Sequence, residues 1–199
     1  MIVSYKDNFD TNKIEISSAT KNEKTNKWEC PVKYDGSSLL FSSPRIKFID
    51  GILTFKIQNK KKFIQFLEEL DTMVIDYLHK NSETIFKGKS FTLERLQNSI
   101  QPQLDIDEDG TVRINAHLDE TIRCFDVYGE SIPLDLVRQD VTAVLKMDKL
   151  IFTKDLYRLK FSVSRLKMSK PEREIVTFEN DTPVKQEEVK VDEVNDPFF

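Results

Sequence analysis

The amino-acid sequence predicts an α+β domain over residues 1–170, built on a Greek-key β-barrel with a helical insertion at about 60–99, and a disordered acidic tail over 171–199. Three observations lead there. About eight to ten short runs alternate apolar and polar residues with a period of two. A single stretch switches to helical periodicity. Past Lys170-Pro171 periodicity vanishes while charge, Pro and Gln accumulate, the composition of a segment that cannot bury enough apolar surface to fold.

The elements follow in order. Lys13–Ser17 and Lys27–Tyr34 alternate as strands, and Asp35-Gly36 is a hairpin signal leading into Leu39-Leu40-Phe41. Arg45–Ile49 and Ile52–Ile57 flank a second such signal, Asp50-Gly51, and should pair. Phe63, Phe66, Leu67, Leu70, Val74, Tyr77 and Leu78 form one stripe of a helix from about Lys60 to Phe86, closed by Gly88. Ser90 is placed to cap a short second helix with Leu93 and Leu96 inward. Strands resume at Leu104–Asp107 and Thr111–Ile114, around a turn at Asp109-Gly110. Further strands are expected at Thr121–Val127, Asp140–Lys146, Lys149–Thr153 and Tyr157–Met168.

Composition excludes several classes. Charged residues make up 32% of the chain, and no apolar run is long enough to cross a bilayer. The segment Met1–Asp7 has no apolar signal core, so the protein is expected inside the host cell, at a cytoplasmic replication site or in the nucleus, and not secreted. The sequon Asn180-Asp181-Thr182 is then read as accidental. Cys30 and Cys124 suit reduced strand positions. With 5 glycines and neither common Gly-rich phosphate loop, nucleotide-driven chemistry is not expected. Asp105-x-Asp107-x-Asp109-Gly110 copies half of a calcium loop, but its twelfth position is Ala116 where a bidentate Glu belongs, so it reads as an acidic turn. His79 and His117 have no partners at ligand spacing, and no serine sits in a nucleophile elbow. No cofactor, metal or catalytic residue is expected, and the protein is not read as an enzyme.

The strands carry a different signal, cations interleaved with rings. Trp28, Lys33 and Tyr34 lie in one strand; Arg45 and Lys47 in another, with Lys56 on its hairpin partner. Arg113, Arg123 and Tyr128 follow, and Lys146, Lys149, Phe152, Lys154, Tyr157, Arg158, Lys160 and Arg165 crowd the closing hairpin. Alternation puts Arg158, Lys160, Ser162 and Ser164 on one face, with Leu159, Phe161 and Val163 on the other. Cations that track phosphates and rings that stack on bases are how a single strand of nucleic acid is held. Trp28, Tyr34, Tyr128 and Tyr157 are the rings whose polar edges best tolerate exposure. The plain alternative is an amphipathic sheet with core phenylalanines and solvent-facing lysines.

From Glu172 onward nine acidic residues outnumber three basic ones. The whole chain carries −4, so the tail's −6 leaves +2 on the rest. The tail closes on Asp192, Glu193, Asp196, Pro197, Phe198 and Phe199. Two rings behind carboxylates read as an anchor for a partner's basic, apolar pocket. An acidic tail can also compete for the body's own phosphate groove.

These residues carry a resemblance. Val32–Gly36 followed by Leu39–Arg45, then Phe66–Asp71, then Val141–Lys146 through Ile151-Phe152 to Leu159–Met168, resemble the single-stranded DNA-binding proteins of large eukaryotic DNA viruses, the African swine fever virus group. The chain is more distantly similar to the T7-type phage single-stranded DNA-binding proteins. The resemblance covers about Lys27 to Met168. It implies a non-catalytic OB-fold barrel with an inserted helix that binds single strands without sequence preference, in replication, recombination or repair. Two features depart from the pattern. The closing hairpin turns through Thr153-Lys154-Asp155 instead of a Gly-rich turn, with Tyr157 nearby. The tail follows the phage and bacterial form, in which Asp196, Phe198 and Phe199 would match positions that recruit a polymerase, primase or helicase.

The expected partners are therefore single-stranded DNA and, through the tail, replication proteins, with homo-oligomerisation left open and no membrane. A protein-interaction or virion structural module on the same barrel, without nucleic-acid affinity, is the rival reading, and an RNA-binding regulator a third.

Overall fold

The structure, a computed structural model, describes residues 2–5, 10–138, 140–153 and 156–170. Lys154 and the whole tail, with Asp192, Glu193, Asp196, Phe198 and Phe199, lie outside the described residues. The first half is strand-rich, as the alternation predicts: β1 (Ile2–Ser4), β2 (Ile14–Ile16), β3 (Thr20–Asn22), β4 (Lys27–Tyr34), β5 (Leu39–Ser42), β6 (Ile46–Ile49) and β7 (Ile52–Lys56). The β6–β7 hairpin forms about Asp50-Gly51, where both residues take positive φ of 50° and 82°, as a tight two-residue turn requires.

The helical stripe becomes α1 (Lys61–Ile85), and a shorter helix, α2, spans Leu93–Ser99. Lys87 and Gly88 end α1 in the left-handed region, with the Gly88 N–H donating to the Glu83 carbonyl at 2.7 Å. The cap of α2 is Thr92, not Ser90: its Oγ1 accepts from the Arg95 N–H. That start leaves Leu93 exposed and turns only Leu96 inward. Then come β8 (Leu104–Ile106), β9 (Thr111–Ile114), β10 (Ala116–Phe125), β11 (Ser131–Ile132), β12 (Asp140–Phe152) and β13 (Tyr157–Met168). Two expected strands have merged in β12, because Met147 and Asp148 form a bulge that shifts register without ending the strand.

Strand β12 organises the sheet. One edge pairs antiparallel with β13 from Val141 to Phe152. The other edge serves three strands in succession: β6 at Asp140–Val141, β5 at Val144–Met147 and β4 at Lys149–Phe152. Val141, Ala143, Val144, Leu145, Met147, Leu150 and Ile151 are all buried, while Thr142, Lys146, Asp148 and Lys149 stay partly exposed on the outer face. Beyond β13 the mixed sheet continues parallel to β10, and beyond β6 through β7 and β9 to β8.

The expected Greek-key barrel is not closed. Strand pairing runs from β11 to β8 without returning on itself among the described residues. The path does double back through the chain, because only Asn115 separates β9, which pairs with β7, from β10, which pairs with β13.

Helix α1 packs on the sheet through its rings. Phe41 of β5 is fully buried, with the rings of Phe63, Phe66 and Phe161 centred 6.5, 5.2 and 5.5 Å away. Phe55 of β7 and Tyr5 pack on Phe63 at 5.9 and 5.3 Å. Edge-on contacts of this kind add about 0.5–1.5 kcal/mol per pair beyond area burial. Cys30 and Cys124 are buried free thiols, and burial pushes Cys30 up to about 12.

One polar residue breaks the apolar stripe of α1. Asp71 buries its Oδ1 without a hydrogen-bond partner, and burial, then the neighbouring Glu68, push its carboxyl up to about 7. An unfolded Asp titrates near ~3.9, so between about pH 4 and 7 the folded chain holds the extra proton. Stability therefore falls as pH rises through that window. Asp71→Asn should raise unfolding free energy by about 2 kcal/mol at pH 8. The gain should shrink to nothing below about pH 4, read from urea unfolding of both chains across that range.

Candidate functional site

A hollow of about 1040 Å³ lies where three distant parts of the chain meet. Ala19, Lys21, Asn26 and Trp28 come from β3, β4 and their flanks. The end of α1, its link to α2 and α2 itself supply Ile85, Phe86, Lys87, Lys89, Ser90, Phe91, Arg95, Leu96 and Ser99. The β12–β13 hairpin adds Phe152, Thr153, Leu156 and Tyr157.

Local structure explains each wall. The Ala19 N–H donates to the Ile85 carbonyl at 3.0 Å, tying the first wall to the end of α1. The left-handed turn at Lys87-Gly88 reverses the chain and brings Phe91 back onto Phe86, ring centres 4.9 Å apart and nearly perpendicular. Phe86 in turn meets Phe152 at 4.8 Å, and Phe152 stacks on Tyr157 at 5.5 Å. Trp28 lies opposite Phe152 in the β4–β12 register and is 43% exposed. The result is a floor of rings with one indole standing in solvent.

Charge is distributed unevenly around it. Lys21, Lys87, Lys89 and Arg95 are exposed at the rim and form no ion pair among the described residues; Arg95 lies 4.8 Å over the Phe91 ring, a cation–π contact. No Asp or Glu among the described residues lines this groove. Elsewhere cations face carboxylates. Arg45 pairs with Asp140 at 2.9 Å, Lys56 with Asp109 at 2.7 Å, Lys146 with Asp148 at 3.0 Å and Lys149 with Glu29 at 2.6 Å. Arg113 holds both Asp105 and Asp107. The acidic turn expected from the sequence is thereby engaged by its own neighbours. The Lys56 ammonium and the Thr111 hydroxyl and N–H hold the Asp109 carboxyl well below the usual range. Both histidine Nδ1 atoms sit on main-chain carbonyls, His79 on Phe91 at 3.1 Å and His117 on Phe161 at 2.6 Å.

Of the residues singled out from the sequence, Trp28, Phe152 and Tyr157 meet in the groove. Arg113, Arg158 and Lys160 line a second, smaller hollow. Lys33, Tyr34, Arg45, Lys47, Lys56, Arg123, Tyr128, Lys146, Lys149 and Arg165 line neither. Two of the expected stacking rings are buried. Alternation in β4 turns Tyr34 inward with Cys30 and Val32, and Tyr157 goes inward with Leu159 and Phe161. Ser162 is also buried, on a strand interior to the sheet between β10 and β12. Tyr128 is 81% exposed in the β10–β11 turn.

Sequence reasoning missed Lys21, Lys87, Lys89, Arg95, Phe86 and Phe91. A usable signal was present in Phe86-Lys87-Gly88-Lys89-Ser90-Phe91, two rings and two lysines around a helix-ending glycine.

No protein-family model matches the chain, and no curated protein matches it. Among solved structures it is similar to gp2.5, a single-stranded DNA-binding protein encoded by bacteriophage T7. That match has 9% identity and a TM-score of 0.45, and covers 75% of this chain and 100% of that one. It is also similar to the single-stranded DNA-binding protein from bacteriophage Enc34 in complex with single-stranded DNA, at 12% identity and a TM-score of 0.40, covering 81% and 98%. The Enc34 protein solved without DNA gives 11% and 0.36. These scores lie below 0.5, so the chain's own residues have to carry any reading of function.

Tyr157 pins the groove floor to α2: its hydroxyl donates to the Leu96 carbonyl at 2.8 Å, and burial, with Asp71 nearby, pushes the phenol up. Tyr157→Phe should cost about 1–2 kcal/mol by urea unfolding, because a carbonyl in this buried contact loses its partner.

Proposed function

We propose that the protein binds single-stranded DNA in this groove, without sequence preference and without catalysis, as a component of viral DNA replication. One observation carries the reading: four exposed cations ring a floor of aromatic side chains with no carboxylate among the described residues that line it. Phosphate needs cations that are not already neutralised, and unstacked bases need ring faces. The groove supplies both at one place, whereas on the β-sheet surface Arg45, Lys56, Lys146 and Lys149 are already paired.

Trp28 is the outermost ring and the single tryptophan of the chain, so its emission reports on the groove alone. Bases stack on the indole, Phe86, Phe91 and Phe152 form the apolar bed, and Lys21, Lys87, Lys89 and Arg95 track the backbone. The acidic tail, residues 171–199, competes with DNA for these cations and, once displaced, offers Asp196, Phe198 and Phe199 to a replication partner.

Titration with oligo-dT should quench Trp28, with an affinity that falls with salt at a log–log slope at least as steep as about −3, the contribution of the groove's four cations on a single strand. Trp28→Ala should weaken binding by about 5- to 150-fold. Lys87→Glu with Lys89→Glu should flatten the slope by about 1.4. No quenching and no binding at low salt would overturn the reading, and preference for oligo-U would move it to RNA.

Removing residues 172–199 should tighten oligo-dT binding, most at low salt, as expected if the tail's −6 charge occupies the same cations. Equal affinities of the full chain and the shortened chain across salt concentrations would show that the tail does not compete.

A further inference from the structure

Beyond the Ile100–Tyr157 bridge that borders the groove lies the second hollow, about 320 Å³, near the lower bound of small-ligand pockets. The two are neighbours along the chain. Ser99 and Tyr157 line the groove, while Gln101 and Arg158 line the smaller hollow, and the Gln101 N–H donates to the Tyr157 carbonyl at 2.8 Å. At a rise of about 3.3 Å per residue, Tyr157 and Lys160 on β13 are within about 10 Å of each other.

Gln103 distinguishes this hollow. It is 3% exposed, and neither its Nε2 nor its Oε1 meets a hydrogen-bond partner in the protein. Its main chain is fixed, since its carbonyl accepts from the Asn115 N–H at 2.9 Å. A buried amide left unpaired costs stability, and native structures hold few of them. What would satisfy it must present a donor to Oε1 and an acceptor to Nε2 side by side. A water molecule can do this; of the groups on a bound single strand, a phosphate offers acceptors only, whereas a nucleobase edge offers adjacent donor and acceptor atoms. The cations nearby divide in the same sense. Arg113 is engaged by Asp105 and Asp107, whereas Arg158 and Lys160 have no ion pair among the described residues.

We propose that this hollow receives one unstacked base of the strand bound in the groove, its edge paired to the Gln103 amide and its flanking phosphates held by Arg158 and Lys160. The proposal rests on the single-strand reading of the groove and adds to it a station that reads a base edge instead of stacking on a face.

The test uses the full chain, Gln103→Leu, and two strands of equal length, oligo-dT and its fully abasic counterpart. Leucine removes the amide at similar volume, so Gln103→Leu should melt no lower than the wild type. Its oligo-dT affinity should fall about tenfold with the salt slope unchanged, because no phosphate contact is lost. Both proteins should bind the abasic strand equally. Arg158→Ala with Lys160→Ala should instead flatten the slope. In the wild type, the Gln103 side-chain amide NMR signal should shift with oligo-dT and stay still with the abasic strand. A folded Gln103→Leu that binds oligo-dT as tightly as the wild type overturns the proposal, as does a Gln103 signal unmoved by oligo-dT, whatever the variant does. Wild type that binds neither strand would instead sink the groove reading, and this one with it.

Discussion

The fold depends on one strand satisfying its backbone on both edges along nearly its whole length. β12 is an interior strand with most of its apolar side chains buried, so its peptide groups must find partners within the sheet. β13 provides them on one side; on the other, three short strands share the task end to end. None of those three could be a stable strand alone, yet laid along a common template they become one composite edge. The sheet's curvature, the ring cluster around Phe41 and the seat of α1 all follow from that arrangement. Where β4 takes its turn on the template, Trp28 is delivered opposite Phe152, at the mouth of the groove.

Charge is partitioned by position. Over the sheet surface, carboxylates sit within ion-pair distance of the cations: Asp140 by Arg45, Glu29 by Lys149, Asp148 by Lys146. Partly exposed pairs of this kind contribute little to stability, about 0–1 kcal/mol each, but they cancel the local field. Around the groove no carboxylate among the described residues cancels it. A chain whose described body is close to neutral can therefore present one strongly positive place, and mean composition is a poor guide to where that place lies.

Much of the architecture was legible in the sequence because hydrophobic periodicity is local. The β6–β7 turn at Asp50-Gly51, the stripe from Phe63 to Leu78 and the inward side of β13 are all written within a few residues of themselves. What was illegible is non-local. Nothing near Met147-Asp148 says that a bulge will carry the strand through, since that depends on β13 and β4 holding it from both sides. The cap at Thr92 over Ser90 was a choice between two competent side chains, settled by where Leu96 must pack. The groove was half visible: Trp28 and Phe152 stood out as ring and hairpin, but the lysines at 87 and 89 sit in an irregular link whose direction only the left-handed turn at Gly88 determines. Tyr34 and Tyr157 misled because a polar edge permits exposure without requiring it; Tyr157 satisfies its hydroxyl indoors, on the Leu96 carbonyl.

The three walls of the groove are drawn from residues 19–28, 85–99 and 152–157, segments separated by more than fifty residues of chain. No fragment of the molecule contains the site, and a partly folded chain has its rings and its cations in different places. A ligand of the proposed kind would thus sense completeness: it would engage finished molecules and hold them finished. At a hundredfold excess over its dissociation constant, a ligand that sees only the folded state deepens the native well by about 2.7 kcal/mol. For a slow, long-range β topology, in which late pairings close the structure, that coupling makes occupancy and folding a single equilibrium.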